Sequence, residues 1–174
     1  TFREVLASQG IPVYCTSRTG YFSATEIVTV LNYLKVCDNP LQDIPLMGVL
    51  RSPIVGCTSQ ELAELRIQCP DGLLYESVSA YAGENEKNSL NIKLKGFLSL
   101  LEKVRNMAAY TPVHELILYV LKETGYGDYA RALPGGEQRF ANLTMLVEKA
   151  MDYEKTSYRG LFNFVRYIEQ LQAY

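Results

Sequence analysis

The sequence predicts a mainly α-helical protein with a short α/β stub at its N-terminus. Three observations carry this reading. Apolar residues recur at helical spacing in successive runs from residue 23 onward. Two Ser/Thr-x-x-Glu strings, at 23–26 and 58–61, mark helix starts. One short stretch, residues 11–15 (IPVYC), reads as a strand of β-formers. A lone strand cannot satisfy its own backbone, so the rest of that sheet is expected to lie in sequence outside this chain.

The elements follow in order. Residues 1–9 read as the end of a helix that Gly10 stops, and the strand at 11–15 leads into a polar loop at 16–20. The Ser23 to Glu26 capping box opens a helix with Ile27, Val30, Leu31, Leu34 and Val36 inward, ending near Cys37 before Asp38-Asn39-Pro40. A second helix covers 41–50, with Pro45 early in it. The loop 51–57 follows, then the Thr58 to Glu61 capping box and a helix to about Gln68. After the turn at 69–72 comes a short helix over 73–81. Residues 82–88 are the most polar stretch and are expected to form a flexible loop. A long amphipathic helix runs over 90–110, with Gly96 as its weak point. Thr111 as N-cap and Pro112 at the first position start the next helix, which Gly125 stops. A short helix at 126–132, a helix-entry turn at 133–136, and helices over 137–154 and 157–172 complete the chain.

Composition limits the functions available. The chain has 174 residues, enough for one domain with a sizeable core, or for one domain plus a piece of its neighbour. Seventeen basic and nineteen acidic residues give a net charge of −2, which argues against a whole-surface nucleic-acid binder but leaves room for a local contact. The four cysteines, Cys15, Cys37, Cys57 and Cys69, form no CxxC pair. They read as reduced thiols of a cytosolic protein rather than zinc ligands. No apolar run approaches the roughly 20 residues of a membrane span, and no secretory signal is present. The chain begins at Thr1 and is expected to have been cut from a longer polypeptide.

No complete catalytic centre can be assembled from these residues. The G-x-x-x-x-G-K-[ST] phosphate loop is missing, and Gly135-Gly136-Glu137 lacks its lysine. The single histidine, His114, sits in the first turn of a helix and reads as partly exposed or interfacial. On the last helix, Tyr158, Phe162, Phe164 and Tyr167 mix with Arg159 and Arg166. These could stack bases, or the Phe and Leu residues could be core while the arginines pair with Glu169 or with phosphate.

The segment 51–61 stands apart. A tight loop with Pro53 and Gly56 joins a helix to a capped helix. Such a loop is expected to present several unpaired amides at a helix N-terminus, where the dipole suits a phosphate oxygen, with Arg51, Thr58 and Ser59 adding hydrogen bonds. It also reads as an ordinary helix–loop–helix corner with Ile54 and Val55 in the core.

Four strings carry a family resemblance: GYFSATE at 20–26, DNPLQDIPLMGVLRSPIVG at 38–56, LPGGEQRFANL at 133–143 and YRGLFNFVRYIEQLQ at 158–172. Together they resemble the helicase subunits of the bacterial AddAB helicase–nucleases, within the UvrD/PcrA/Rep-like superfamily 1 helicases. The resemblance covers essentially the whole chain. It implies that residues 1–37 belong to the second motor domain (2A) and residues 38–174 to its helical 2B insertion. It also implies that ATP and Mg²⁺ serve the parent protein through motifs absent here, and that this segment holds no cofactor or metal of its own. In related helicases the loop matching Ser52 to Thr58 touches the backbone of the duplex ahead of the fork. The resemblance therefore points to Arg51, Ser52, Pro53, Val55, Gly56, Thr58 and Ser59 as DNA-binding. Relatives often show Gly-Ile-Gly in this loop, whereas this chain has Gly56-Cys57-Thr58.

Two functions follow as expectations. In the first, a non-catalytic accessory domain grips double-stranded or forked DNA during unwinding and double-strand-break end resection in the bacterial cytoplasm, with no membrane contact. In the second, the domain docks on the AddB-type nuclease subunit or regulates the motor. An acidic, Tyr-rich surface suits such an interface at least as well as DNA.

Overall fold

The computed structural model describes residues 5–6, 9–10, 20–68, 70, 72–84, 88–156 and 159–172. Nine α-helices are bounded among them. They are α1 (Thr25–Asp38), α2 (Asp43–Arg51), α3 (Ser59–Gln68), α4 (Leu74–Gly83), α5 (Ser89–Ala108), α6 (Val113–Glu123), α7 (Tyr126–Ala132), α8 (Gly136–Glu154) and α9 (Leu161–Gln172). The strand expected at 11–15 and most of the following loop lie outside the described residues. Val5 and Leu6 are helical, and Gly10 closes the turn after them.

Helix α1 is the centre of the packing. A helix on the surface of a fold buries one stripe, while one inside it is apolar all round. Ile27, Val30, Leu31, Tyr33, Leu34, Val36 and Cys37 of α1 are all buried. They meet α2, α5, α8 and α9, so this one helix touches both the early and the late parts of the chain. Around it α2, α3 and α4 form one succession of neighbours, and α6, α7 and α8 form another. Helix α5 joins the two by packing on α4, α1 and α6.

The start of α1 corrects the capping box expected at Ser23 to Glu26. The N-cap is Ala24, with no side-chain cap, and Ser23 Oγ instead donates to the Gly20 carbonyl at 3.1 Å. Glu26 turns inward and is only 3% exposed. Its carboxylate accepts from Arg139 Nη1 at 2.8 Å and from Asn142 Nδ2 at 2.7 Å, both on α8. A buried carboxylate must be paired, and these tertiary donors outcompete the nearby backbone amide. The strings at 20–26 and 133–143 therefore meet in space. Tyr21 adds a bond from its hydroxyl to the Asn142 carbonyl at 3.0 Å.

Other boundaries shift for similar reasons. Pro45 falls in the first turn of α2, where its missing N–H has no intrahelical partner to lose. Ala82 and Gly83 belong to α4, and Asn88 caps α5 by accepting the Asn91 amide at 2.8 Å. The polar stretch expected to be a loop is thus partly helix and cap, while residues 85–87 lie outside the described residues. Helix α6 begins one residue later than expected, with Pro112 rather than Thr111 at the N-cap. The Val113 amide and His114 Nδ1 both hydrogen-bond to the carboxylate of Glu154, the last residue of α8. Helix α9 starts at Leu161 rather than Ser157. At the start of α8 a Cβ on Gly136 would sit 1.8 Å from the Arg131 carbonyl oxygen, so only glycine fits there.

Two consequences for stability follow. Gly96 lies on the exposed face of α5 with open space where a Cβ would stand. Gly96→Ala is expected to raise the unfolding free energy by about 0.5–1 kcal/mol in urea denaturation; a loss would mean that the site needs the glycine. Arg139→Met leaves the Glu26 carboxylate buried with Asn142 alone. It is expected to cost about 2–3 kcal/mol, below the fully buried range because Arg139 is partly solvated. A change under about 0.5 kcal/mol would show that the pair adds nothing.

Candidate nucleic-acid interface

The corner between α2 and α3 is built by the chain closing on its own backbone. Helix α2 ends as the Ser52 amide bonds back to the Gly48 and Val49 carbonyls, each at 3.1 Å. Ser52 Oγ donates to the Val49 carbonyl at 2.7 Å and accepts from the Ile54 amide at 3.3 Å. The Val55 and Gly56 amides both donate to the Ser52 carbonyl, at 3.2 and 2.7 Å. The Cys57 amide reaches the Leu50 carbonyl at 2.9 Å. This tight return needs Gly56 at φ 72°, in the left-handed region where a side chain is disfavoured.

The second capping box forms as read from the sequence. The Thr58 amide donates to Glu61 Oε2 at 2.7 Å, and the Glu61 amide donates to Thr58 Oγ1 at 3.2 Å. Both members lie within one turn, so no distant partner is needed to hold them.

These bonds correct the expectation of several unpaired amides in the loop. Pro53 has no N–H, and the amides of Ser52, Ile54, Val55, Gly56, Cys57 and Thr58 are all taken up within the corner. A sharp turn away from a helix leaves few carbonyls and amides to water, and this one satisfies its own. Among the described residues, no partner is found for the amides of Ser59 and Gln60, in the first turn of α3.

The structure places the candidate residues differently from one another. Arg51, Pro53, Gly56, Thr58 and Ser59 are exposed. Val55 is half-buried and, with Ile54, packs against the core, as an ordinary helix–loop–helix corner would have it. Ser52 is 9% exposed and its hydroxyl is spent inside the corner. Arg51 Nη1 donates to the Cys57 carbonyl at 3.1 Å, which ties the exposed Arg51 side chain to the loop. The exposed residues of the corner that carry donors are Arg51, Thr58 and Ser59, beside the first amides of α3. Such a set suits an anionic oxygen and reads no base edge.

Sequence reasoning missed Lys93. It lies on α5, far along the chain, yet its Nζ donates to the Gly56 carbonyl at 3.0 Å and to both Glu61 carboxylate oxygens at 2.9 Å. No local pattern could have shown this, because the contact depends on how α5 packs beside the corner. The Thr58 amide, and after it Lys93, hold the Glu61 carboxyl below its ordinary pKa. Burial pushes the Cys57 thiol up to about 11, which keeps it neutral and unreactive near pH 7.

The other candidates resolve into structural roles. His114 holds Glu154 at the junction of α6 and α8. Phe164 is core, whereas Phe162 is exposed beneath the Arg166 guanidinium, 5.5 Å from it. The expected pairing of these arginines with Glu169 is replaced by Lys35, 2.8 Å from Glu169, which ties α9 to α1. Tyr158 lies outside the described residues. Among the described residues no three His, Cys, Asp or Glu side chains gather as a metal site would need.

The charge of Glu61 makes the corner pH-sensitive. Its folded pKa lies below the ordinary 4.5. Its contribution to stability is thus complete above about pH 5 and fades as pH falls through the folded value. Glu61→Gln keeps an acceptor for the Thr58 amide but does not titrate. Its deficit is expected to be about 0.5–1 kcal/mol near neutral pH and to shrink toward acid in pH-dependent denaturation. A deficit that stays constant with pH would show that the carboxylate charge is irrelevant.

Comparison with known proteins agrees with the helical architecture. Residues 1–173 match the UvrD-like helicase C-terminal domain family. The chain is 49% identical over 170 residues to an ATP-dependent helicase/nuclease subunit from Bacillus velezensis, covering 97% of this chain and 14% of that protein. It is 45% identical over 172 residues to the protein of the same name from Thermoanaerobacter sp., covering 99% of this chain and 14% of that one. With the Anoxybacillus flavithermus protein of that name it shares 46% over 169 residues, 97% of this chain and 14% of that protein. The chain thus spans about one seventh of the length of these relatives. On this match across nearly every residue, the chain belongs to the UvrD-like helicase C-terminal domain family.

Proposed function

We propose that this chain is the helical 2B accessory domain of an ATP-dependent DNA helicase–nuclease, and that its 51–59 corner rests on duplex DNA ahead of the fork. The observation that carries the reading is the exposed, internally braced corner with the Arg51 side chain tied to it. Its exposed donor-bearing residues suit a phosphate. Binding of this kind is sequence-independent, salt-sensitive and weak from one corner alone. The names of the relatives supply ATP-driven unwinding and nuclease action as the setting. In this proposal the energy and the cutting come from other parts of the parent protein, with ATP and Mg²⁺ bound there, and the work is end resection at double-strand breaks in the bacterial cytoplasm.

The proposed 2B unit spans residues 38–174, and α1 packs closely against it. The core side chains of that helix, Tyr33 and Leu34 among them, pack on helices that follow residue 38. Residues 1–37 are proposed as the end of the second motor domain, with α1 at the junction of the two.

A second reading is docking on an AddB-type nuclease subunit. It is favoured by an apolar patch formed by the outer side of α2 and the turn before it, where Leu41, Ile44 and Met47 are exposed, Ile44 at 86%. Among the described residues no helix is long and apolar enough to cross a membrane.

The two readings separate in a titration of forked duplex DNA into the full chain at low salt. Arg51→Ala is expected to weaken binding about five- to tenfold and to lower the salt slope by about one. Unchanged affinity and slope would remove the corner from the DNA and leave docking as the better reading.

A further inference from the structure

Lys93 holds the corner from outside it. An ammonium has three protons to donate, and here three acceptors receive them: the Gly56 carbonyl at 3.0 Å and the two Glu61 oxygens at 2.9 Å each. The Lys93 side chain is 28% exposed and the Glu61 side chain 16%. With its donors occupied and its charge half-sunk, Lys93 is poorly placed to bind a phosphate itself. What it touches, however, are groups that would repel one. The Glu61 carboxylate sits at the first turn of α3, beside the amides that a phosphate would use, and the Gly56 carbonyl belongs to the same exposed corner.

We propose that Lys93 is a positioning residue of the corner, one that acts through Glu61: its ammonium cancels that carboxylate and covers the Gly56 carbonyl, so that a DNA phosphate can approach Arg51 and the start of α3. This inference rests on the reading of the corner as a duplex contact. The charges involved are few, so one of them matters. Arg51, Lys93 and Glu61 together carry a net single positive charge. Removing Lys93 brings that local sum to zero and leaves an unpaired carboxylate facing the incoming anion. Removing Lys93 and the Glu61 charge together restores the positive sum. The capping geometry survives that double change, because glutamine offers the Thr58 amide the same kind of acceptor.

A merely structural role for Lys93 would behave differently. If the ion pair mattered only for tethering α5 to the corner, neutralising both partners would be as harmful as neutralising one. The double variant therefore separates charge from tether.

The test measures binding of the full chain to a forked DNA duplex at low salt by fluorescence anisotropy. The chains compared are unsubstituted, Lys93→Met, Glu61→Gln with Lys93→Met, and Arg51→Ala, each with its thermal melt recorded. Lys93→Met is expected to weaken binding about three- to tenfold, and the double variant to return to within about twofold of the unsubstituted chain. If Lys93→Met binds as tightly as the unsubstituted chain while Arg51→Ala binds weakly, the inference falls and the corner reading stands. If the double variant stays as weak as Lys93→Met, Lys93 is only a tether and the inference falls. If no chain binds, or Arg51→Ala binds unchanged, the corner reading itself falls and takes this inference with it.

Discussion

The Glu26 carboxylate, sealed between α1 and α8, is the constraint on which the rest of the fold depends. A buried carboxylate without partners would be too costly to keep charged, so the chain must bring donors to it. They come from Arg139 and Asn142, more than a hundred residues later. Satisfying Glu26 sets where α8 lies against α1, and Tyr21 reinforces the same junction through the Asn142 carbonyl. Arg139 also donates to the Pro134 carbonyl at 3.2 Å, which fixes the turn that starts α8. Buried ion pairs add little net stability compared with apolar packing, and their better-attested use is to specify register. Here the register in question is that of the central helix against the longest late one.

The same chemistry recurs at two other joints. Glu154, at the end of α8, receives the Val113 amide and His114 and so anchors the start of α6. Glu61 receives the Thr58 amide and Lys93, and so joins the start of α3 to α5. In each case one carboxylate serves an orphan amide at a helix N-terminus, and either the carboxylate itself or a second donor to it comes from a different helix. The first is a local need of every helix. The second turns that need into a tertiary tie. A bundle of mostly short helices, which isolated would be marginal, gains defined junctions in this way.

The corner at 51–59 gains its character from what it does not leave open. Its loop amides are committed to acceptors within the corner, backbone and side chain, so the turn is braced by its own bonds. What stays exposed is a small set of donor-bearing residues, while the Ile54 and Val55 side chains pack against the core. A net charge of −2 over the whole chain is compatible with this, since the positive character needed is confined to a few side chains at one place.

The sequence by itself determined the helical class, the positions of most helices and the exposed corner, because each rests on short-range physics. Apolar spacing within a helix, the Thr58 and Glu61 cap, and the breaks at Asn39-Pro40 and Gly125 all act over a few residues and can be read in order. Long, specific strings also carried the family. Only the tertiary structure decided which way Glu26 points, who caps α6, why Glu169 pairs with Lys35 instead of a neighbouring arginine, and that Lys93 braces the corner. The Ser23 to Glu26 string and the Thr58 to Glu61 string look alike, yet only the second forms its box. The difference lies in the partners that folding brings within reach of the carboxylate, and those partners stand too far along the chain for any local pattern to announce them.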